Sequence, residues 1–250
     1  MNTDSNEKVL LSIITINYNN ADGLRKTIES VRSQSFSDYE HIIVDGGSSD
    51  GSKEVIQESL NDENYSKHIS WWCSERDSGI YNAMNKGIDK ARGKFVYMLN
   101  SGDALLPAVL GKIAPYLDEN MDKVVYGPVD SYLDGNFTKT TGMGSGHLPI
   151  GMMPHQGIFV PLDLHKKYGV YNENYKICAD REFILSIYTN KVSFVHIPVI
   201  ICNYDEGGIS STSTYAALKE TYKLDKTMGM KKKSLLRFIK GLVKLCLGFK

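Results

Sequence analysis

The chain has 250 residues, 42% of them hydrophobic and 23% charged, which excludes a disordered polymer and supplies apolar material for one sizeable core. Lys plus Arg and Asp plus Glu both total 29, and a chain without a basic excess argues against a general nucleic-acid binder. The balance is uneven: residues 231–250 carry seven Lys or Arg and no acid, which leaves 22 basic against 29 acidic side chains in the first 230, a net of −7.

At the N-terminus, MNTDSNEKVLL lacks the basic and long apolar regions of a signal peptide. Residues 10–16 (LLSIITI) then read as a buried strand, 22–34 as a helix, 39–45 (YEHIIVD) as a strand and 51–60 as a short helix. Residues 69–75 (ISWWCSE) form a third strand, with Trp71 and Trp72 as core. Residues 79–92 form a helix whose Ile80, Met84, Ile88 and Ala91 share a face, and 94–99 form a fourth strand. Strand and helix alternating, with nearly continuous apolar strands, predict an α/β fold: a mostly parallel sheet flanked by helices. Further on, 124–139 reads as a hairpin turning at Asp134-Gly135. Residues 140–156 are a Gly-rich loop, 180–188 a helix, 192–202 one or two strands and 203–214 a loop. The cysteines at 73, 178, 202 and 246 form no C-x-x-C pair and read as reduced thiols of a cytosolic protein. No run approaches the ~18 apolar residues of a membrane span.

Ligands of such sheets bind beyond the carboxyl ends of the strands. Those ends are Asn17-Tyr18-Asn19-Asn20, Asp45-Gly46-Gly47-Ser48, Glu75-Arg76-Asp77-Ser78 and Asn100-Ser101-Gly102-Asp103. All four are polar and three hold a carboxylate, as the rim of a site would be. An Asp there can accept from a base or ribose, or hold Mg²⁺ or Mn²⁺ beside a diphosphate. The sequence contains no phosphate loop, no G-x-S-x-G elbow and no H-E-x-x-H signature. Simpler readings stand beside these. Asp103 could cap a helix starting near Pro107, and Asp180 could cap the helix after it. Asp45 could be a turn residue, His155 a loop residue, and Asp50 the cap of the helix after Gly51.

The segments SIITINYNN, IIVDGGSSDGS, ERDSGIYNAMNKGIDKARGKFVYMLNSGD, PHQGIFV and ADREFIL together resemble family 2 glycosyltransferases of the GT-A fold. The likeness spans roughly residues 10–212 and is closest to bacterial enzymes of capsule, colanic-acid-type or O-antigen polysaccharide synthesis. It implies inversion at the anomeric carbon, a divalent cation (Mn²⁺ or Mg²⁺) and a nucleotide-sugar donor, foremost a UDP-sugar, with GDP- or dTDP-sugars as alternatives. Carried over by position, it puts Thr15, Asn17, Asp45, Asp77, Ser101 and Gly102 around the nucleotide sugar, Asp45 reading the base. Asp103 is the last Asp of the D-x-D metal motif, and Asp180 is the catalytic base. His155, Gln156, Arg181 and Gly208 lie on the acceptor or diphosphate side, Gly208 within a loop closing over the diphosphate. Two positions depart from the usual pattern: Gly46 replaces a second Asp, and Ser101 replaces the first Asp of D-x-D.

This reading divides the chain into one GT-A domain, residues 1–230, and a basic amphipathic tail, 231–250. Within the domain, 10–103 serve the nucleotide sugar and 104–230 the acceptor. In the tail, Leu235, Leu236, Ile239, Leu242, Val243 and Cys246 share one helical face, and Lys233, Arg237, Lys240 and Lys244 fall mostly on the other. That pattern suits a helix lying on an anionic membrane; the simpler reading beside it is a helix packed on the acidic body. The acceptor expected is a saccharide, on undecaprenyl diphosphate, at the inner face of the cytoplasmic membrane. The rival readings are a sugar nucleotidyltransferase and an inactive sugar-nucleotide-binding scaffold.

Overall fold

All seven residues of Leu11–Asn17 are buried, because this strand, β1, lies in the middle of a sheet covered on both sides. The computed structural model describes residues 9–142, 153–207 and 215–246. Leu11 and Ile13 pack into one core layer with Leu24, Ile28 and Val31 of helix α1 (Ala21–Arg32), while Ile14 and Ile16 pack into the other with Met84 and Ile88 of α3 (Ile80–Lys90). The same alternation divides Phe95 and Tyr97 from Val96 and Met98 in β4 (Phe95–Met98). A strand reads as continuously apolar when both of its faces meet helices. Each fully buried Leu, Ile or Phe contributes about 1.5–3 kcal/mol.

The strands β2 (Tyr39–Asp45) and β3 (Ile69–Ser74), with α2 (Ser52–Leu60) between them, complete the first half. β1 pairs in parallel with both β2 and β4, and β2 with β3. Their carboxyl ends therefore share one edge. After β4 come a two-residue strand β5 (Ala104–Leu105), α4 (Val109–Asp118), β6 (Val124–Tyr126), and the strands β7 (Val129–Leu133) and β8 (Asn136–Thr141). Next are β9 (Ile158–Pro161), α5 (Leu162–Tyr168), α6 (Ala179–Thr189), β10 (Phe194–His196), β11 (Cys202–Asp205), α7 (Tyr215–Thr227) and α8 (Lys231–Cys246). The main sheet runs β10-β6-β9-β4-β1-β2-β3, and a second sheet runs β5-β11-β7-β8.

Several expectations change here. The hairpin expected over 124–139 is narrower: β6 joins the main sheet, and β7 and β8 alone form the hairpin, with Asp134 and Gly135 at φ 50° and 78°. Of the one or two strands expected over 192–202 the structure has two, β10 and β11, the second starting at Cys202, and they enter different sheets. β9 lies antiparallel to both β4 and β6. Asp103 caps nothing: α4 begins after Ala108 with no side-chain cap. Asp50 accepts from the Ser52 N–H at 3.2 Å and from the Ala21 N–H at 2.8 Å, tying the starts of α1 and α2 together. The tail forms α8 against α7, Phe238 packing on Tyr222 and Gly241 meeting Leu218. Leu235, Leu236, Ile239 and Val243 stay 47–56% exposed.

Candidate functional site

A cleft of about 1030 Å³ opens where β1–β4 end and faces β7, β11 and α6. Asn17, Asp77, Ser101 and Asp103 line it from the first half of the chain, and His155, Gln156, Asp180 and Arg181 from the second. Thr15, Asp45 and Gly102 do not reach its surface. Thr15 is buried, its hydroxyl 2.8 Å from His41 Nε2. Asp45 is also buried, accepting from Asn17 Nδ2 at 2.8 Å, Ser48 N at 3.0 Å and Ser74 Oγ at 2.7 Å. Burial alone would raise the Asp45 pKa, but donors on Ser48, Ser74 and Asn17 outweigh it and hold the carboxylate below its ordinary value. What Asp45 presents to the cleft is Asn17, whose Nδ2 it fixes. The Asn17 Oδ1 is buried without a hydrogen-bond partner.

Gly46 shows why a side chain is missing there. A Cβ at 46 would lie 2.6 Å from Asp77 Oδ2 and 3.2 Å from the Tyr18 ring. Asp77 fills that space, its Oδ1 accepting from Gly79 N at 2.9 Å. Tyr18 stands 68% exposed at the exit of β1 and lines the cleft. Sequence reasoning passed over it by classing all of Asn17–Asn20 as polar; an aromatic side chain at a strand exit was the available signal.

At the β4 exit the chain turns through Gly102 at φ 104°, a conformation that favours glycine. The Ser101 hydroxyl donates to the Asn20 carbonyl at 3.2 Å, and Lys26 Nζ to the Gly102 carbonyl at 2.8 Å. Asp103 is 3% exposed. Its Oδ1 accepts the Asp205 N–H at 2.9 Å, and the Gln156 side chain also bonds it. Burial pushes its pKa up to about 7, against the lowering effect of those hydrogen bonds. The donors at this exit are oxygens: Asp103, Ser101 and the Asn100 Oδ1, which is buried without a hydrogen-bond partner. That set fits Mg²⁺ or Mn²⁺ with a diphosphate completing the shell. No group of three or more His, Cys, Asp or Glu able to hold a metal occurs among the described residues.

Asp180 sits in the first turn of α6, where the helix dipole favours a negative charge. It is not the cap; Cys178 holds that position, without a side-chain cap bond. The Asp180 Oδ1 accepts from the Tyr81 hydroxyl at 3.0 Å. Burial, and then the charge of Asp180, raise the Tyr81 pKa and keep it a donor. Tyr81 escaped the sequence reading because the stripe chosen for α3 ran through Ile80; the buried stripe runs through Tyr81, Met84 and Ile88. His155 Nε2 lies 2.8 Å from the Tyr171 hydroxyl, and burial lowers its pKa, so the ring is neutral at pH 7. The Gln156 carbonyl accepts from Tyr97 at 2.8 Å. Arg181 is buried and pairs with Asp225 of α7 at 2.6 Å, and Asp225 also meets Arg237 of α8 at 3.1 Å. Gly208 lies outside the described residues.

The model of the family described as Glycosyl transferase family 2 matches residues 12–174. The chain is 32% identical over 218 residues to Uncharacterized glycosyltransferase Rv1514c of Mycobacterium tuberculosis, covering 80% of this chain and 77% of that one. Among solved structures it is similar to S. aureus TarS 1–349 in complex with UDP-GlcNAc, with a TM-score of 0.70 at 17% identity over 89% of this chain and 66% of that one. The mannosyltransferase PcManGT from Pyrobaculum calidifontis, in complex with GDP-Man and Mn²⁺, gives a TM-score of 0.68 at 11% identity over 98% and 77%. The fold shared with both is GT-A.

Proposed function

The chain belongs to glycosyl transferase family 2 and is a glycosyltransferase, and from that premise we propose that it transfers a sugar, with inversion, from a nucleoside-diphosphate sugar to a saccharide hydroxyl. The observation that carries the reading is the single cleft that Asn17, Asp77 and Asp103 share with Asp180. The acceptor oxygen attacks the anomeric carbon from the face opposite the diphosphate, and the bond from that carbon to the phosphate oxygen breaks. Asp180 takes the hydroxyl proton on Oδ2, while Tyr81 holds Oδ1 and fixes the carboxylate's orientation. A Mg²⁺ or Mn²⁺ ion, when bound through Asp103, supplies charge neutralisation for the departing diphosphate.

With one Nδ2 hydrogen on Asp45 and the other 3.3 Å from Ser48 Oγ, the polar atom of Asn17 left for a nucleotide is the buried acceptor Oδ1. Uracil, thymine and guanine present a ring N–H to such a group, and cytosine does not. This supports a UDP-, dTDP- or GDP-sugar over a CMP-sugar. Tyr18 offers a face on which a base can stack.

The acceptor we propose is lipid-linked, on undecaprenyl diphosphate, in bacterial surface polysaccharide synthesis. Support comes from α8: Leu235, Leu236, Ile239 and Val243 form an exposed apolar face on a segment with seven basic residues and no acid. A helix of this kind lies in the interface of an anionic bilayer. No helix among the described residues is long and apolar enough to cross one. In this reading residues 10–103 serve the donor, 104–230 the acceptor, and 231–250 the inner face of the cytoplasmic membrane.

The test is thermal stability with UDP, GDP, dTDP and CMP, each with and without Mn²⁺, since a ligand of the folded state raises the melting temperature. A shift with UDP that Mn²⁺ enlarges, and none with CMP, is the expected result. Asp180→Asn should keep that shift and lose transfer. No shift with any nucleotide would overturn the donor assignment.

A further inference from the structure

The Ser101-Gly102-Asp103 turn offers one carboxylate where two are usual, and the fold brings a second to it from far along the chain. Asp205 ends β11, in the sheet opposite. Its N–H donates to Asp103 Oδ1 at 2.9 Å, which locks the end of β11 against the turn. Its side chain returns to the same place: Asp205 Oδ2 lies 3.6 Å from where a Cβ on Gly102 would stand. Asp205 Oδ1 is occupied by the Gly207 N–H at 2.8 Å, so the carboxylate is held in orientation with Oδ2 toward the turn. Asp103, Asp205 and Asn100 all line the cleft, and the Asn100 Oδ1 is buried there with no hydrogen-bond partner. A buried acceptor left without a donor is costly unless something positive meets it.

We propose that Asp205 is the second carboxylate of the divalent-cation site, with Asn100 Oδ1 as a neutral oxygen donor, in place of the acidic side chain that Ser101 lacks. The assignment rests on the donor reading above. It gives the site two carboxylates from distant parts of the chain, so that cation binding ties the turn between β4 and β5 to the end of β11. Hard cations select such oxygen sets, and affinity rises with the number of charged ligands.

The experiment follows free Mn²⁺ by electron paramagnetic resonance during titration of the full chain with UDP present. Wild type, Asp205→Asn, Asp103→Asn and the double variant Ser101→Asp/Asp205→Asn are compared. Asn at 205 keeps the acceptor for Gly207, and melting temperature reports folding. Asp205→Asn should weaken Mn²⁺ tenfold or more, while UDP affinity in EDTA changes less than twofold. The double variant should recover at least part of the loss, because a carboxylate returns at 101. Mn²⁺ affinity of Asp205→Asn equal to wild type would overturn the assignment with the donor reading intact. If wild type takes up no Mn²⁺ with UDP, GDP or dTDP, the donor reading falls and the assignment with it.

Discussion

Replacing Asp103 by Asn should make the cation-free protein more stable, and only above a definite pH. The Asp103 carboxyl is buried and titrates at about 7 rather than 3.8. Below about pH 4 it is protonated in both folded and unfolded chains and carries no penalty. Between about 4 and 7 the folded chain keeps a proton that the unfolded chain has released, so stability falls as pH rises. Above 7 the charge must be held in the core. The displacement of about 3 pKa units sets an upper bound of about 4 kcal/mol on that cost. Asn has the same shape, keeps an acceptor for the Asp205 N–H and carries no charge. At pH 8 the variant should therefore gain about 2–4 kcal/mol, or on the order of 10 °C in melting temperature for a chain of this size. At pH 4.5 the gain should shrink to about 1 kcal/mol or less. Thermal melts in EDTA at pH 4.5, 6, 7 and 8 test this. Adding Mn²⁺ to a nucleoside diphosphate should then raise wild type further than the nucleotide alone and add nothing for the variant. An equal difference at pH 4.5 and 8, or a variant less stable than wild type at pH 8, would refute the argument that an uncompensated charge sits there.

Gly46→Ala should push Asp77 aside, since its Cβ would lie 2.6 Å from Asp77 Oδ2; nucleotide affinity in titration calorimetry should fall about tenfold, equal to about 1.4 kcal/mol, with little change in melting. Asp225→Asn leaves Arg181 buried beside a neutral amide, and chemical denaturation should show a loss of about 3–5 kcal/mol. Arg237→Gln removes the half-exposed partner and should cost about 1 kcal/mol or less. Leu236→Asp with Ile239→Asp places charge on the exposed face of α8; sedimentation with anionic vesicles should be lost while the melting temperature holds.

The first half of the fold was legible because each of β1–β4 alternates between two helical layers, and a run such as Ile13-Ile14 can be buried in no simpler way. The shared edge followed from parallel pairing. Direction and sheet membership were not legible where the strands are short. IFVP at 158–161 carries no mark of running antiparallel, and two residues at 104–105 carry no pattern at all. At the site, a carboxylate at a strand exit is visible in sequence, but not the way it faces. Asp45 turns inward to bind Asn17 and Ser48, and Asp103 faces the cleft. Asp205 could not be seen as a neighbour of Asp103 from sequence, because the chain between them is long and their contact depends on β11 crossing to the second sheet.

The insertion of β9 between β4 and β6 has a consequence for how the chain is made. A ribosome releases β1 to β4 long before residues 158–161 appear, and until then β4, with the wholly apolar sequence FVYM, is an open edge. Unpaired apolar edges template the addition of other strands. Residues 10–103 on their own should therefore self-associate. The first half of the chain depends for its solubility on a strand that arrives with the second, so neither can be exchanged between relatives as a finished module.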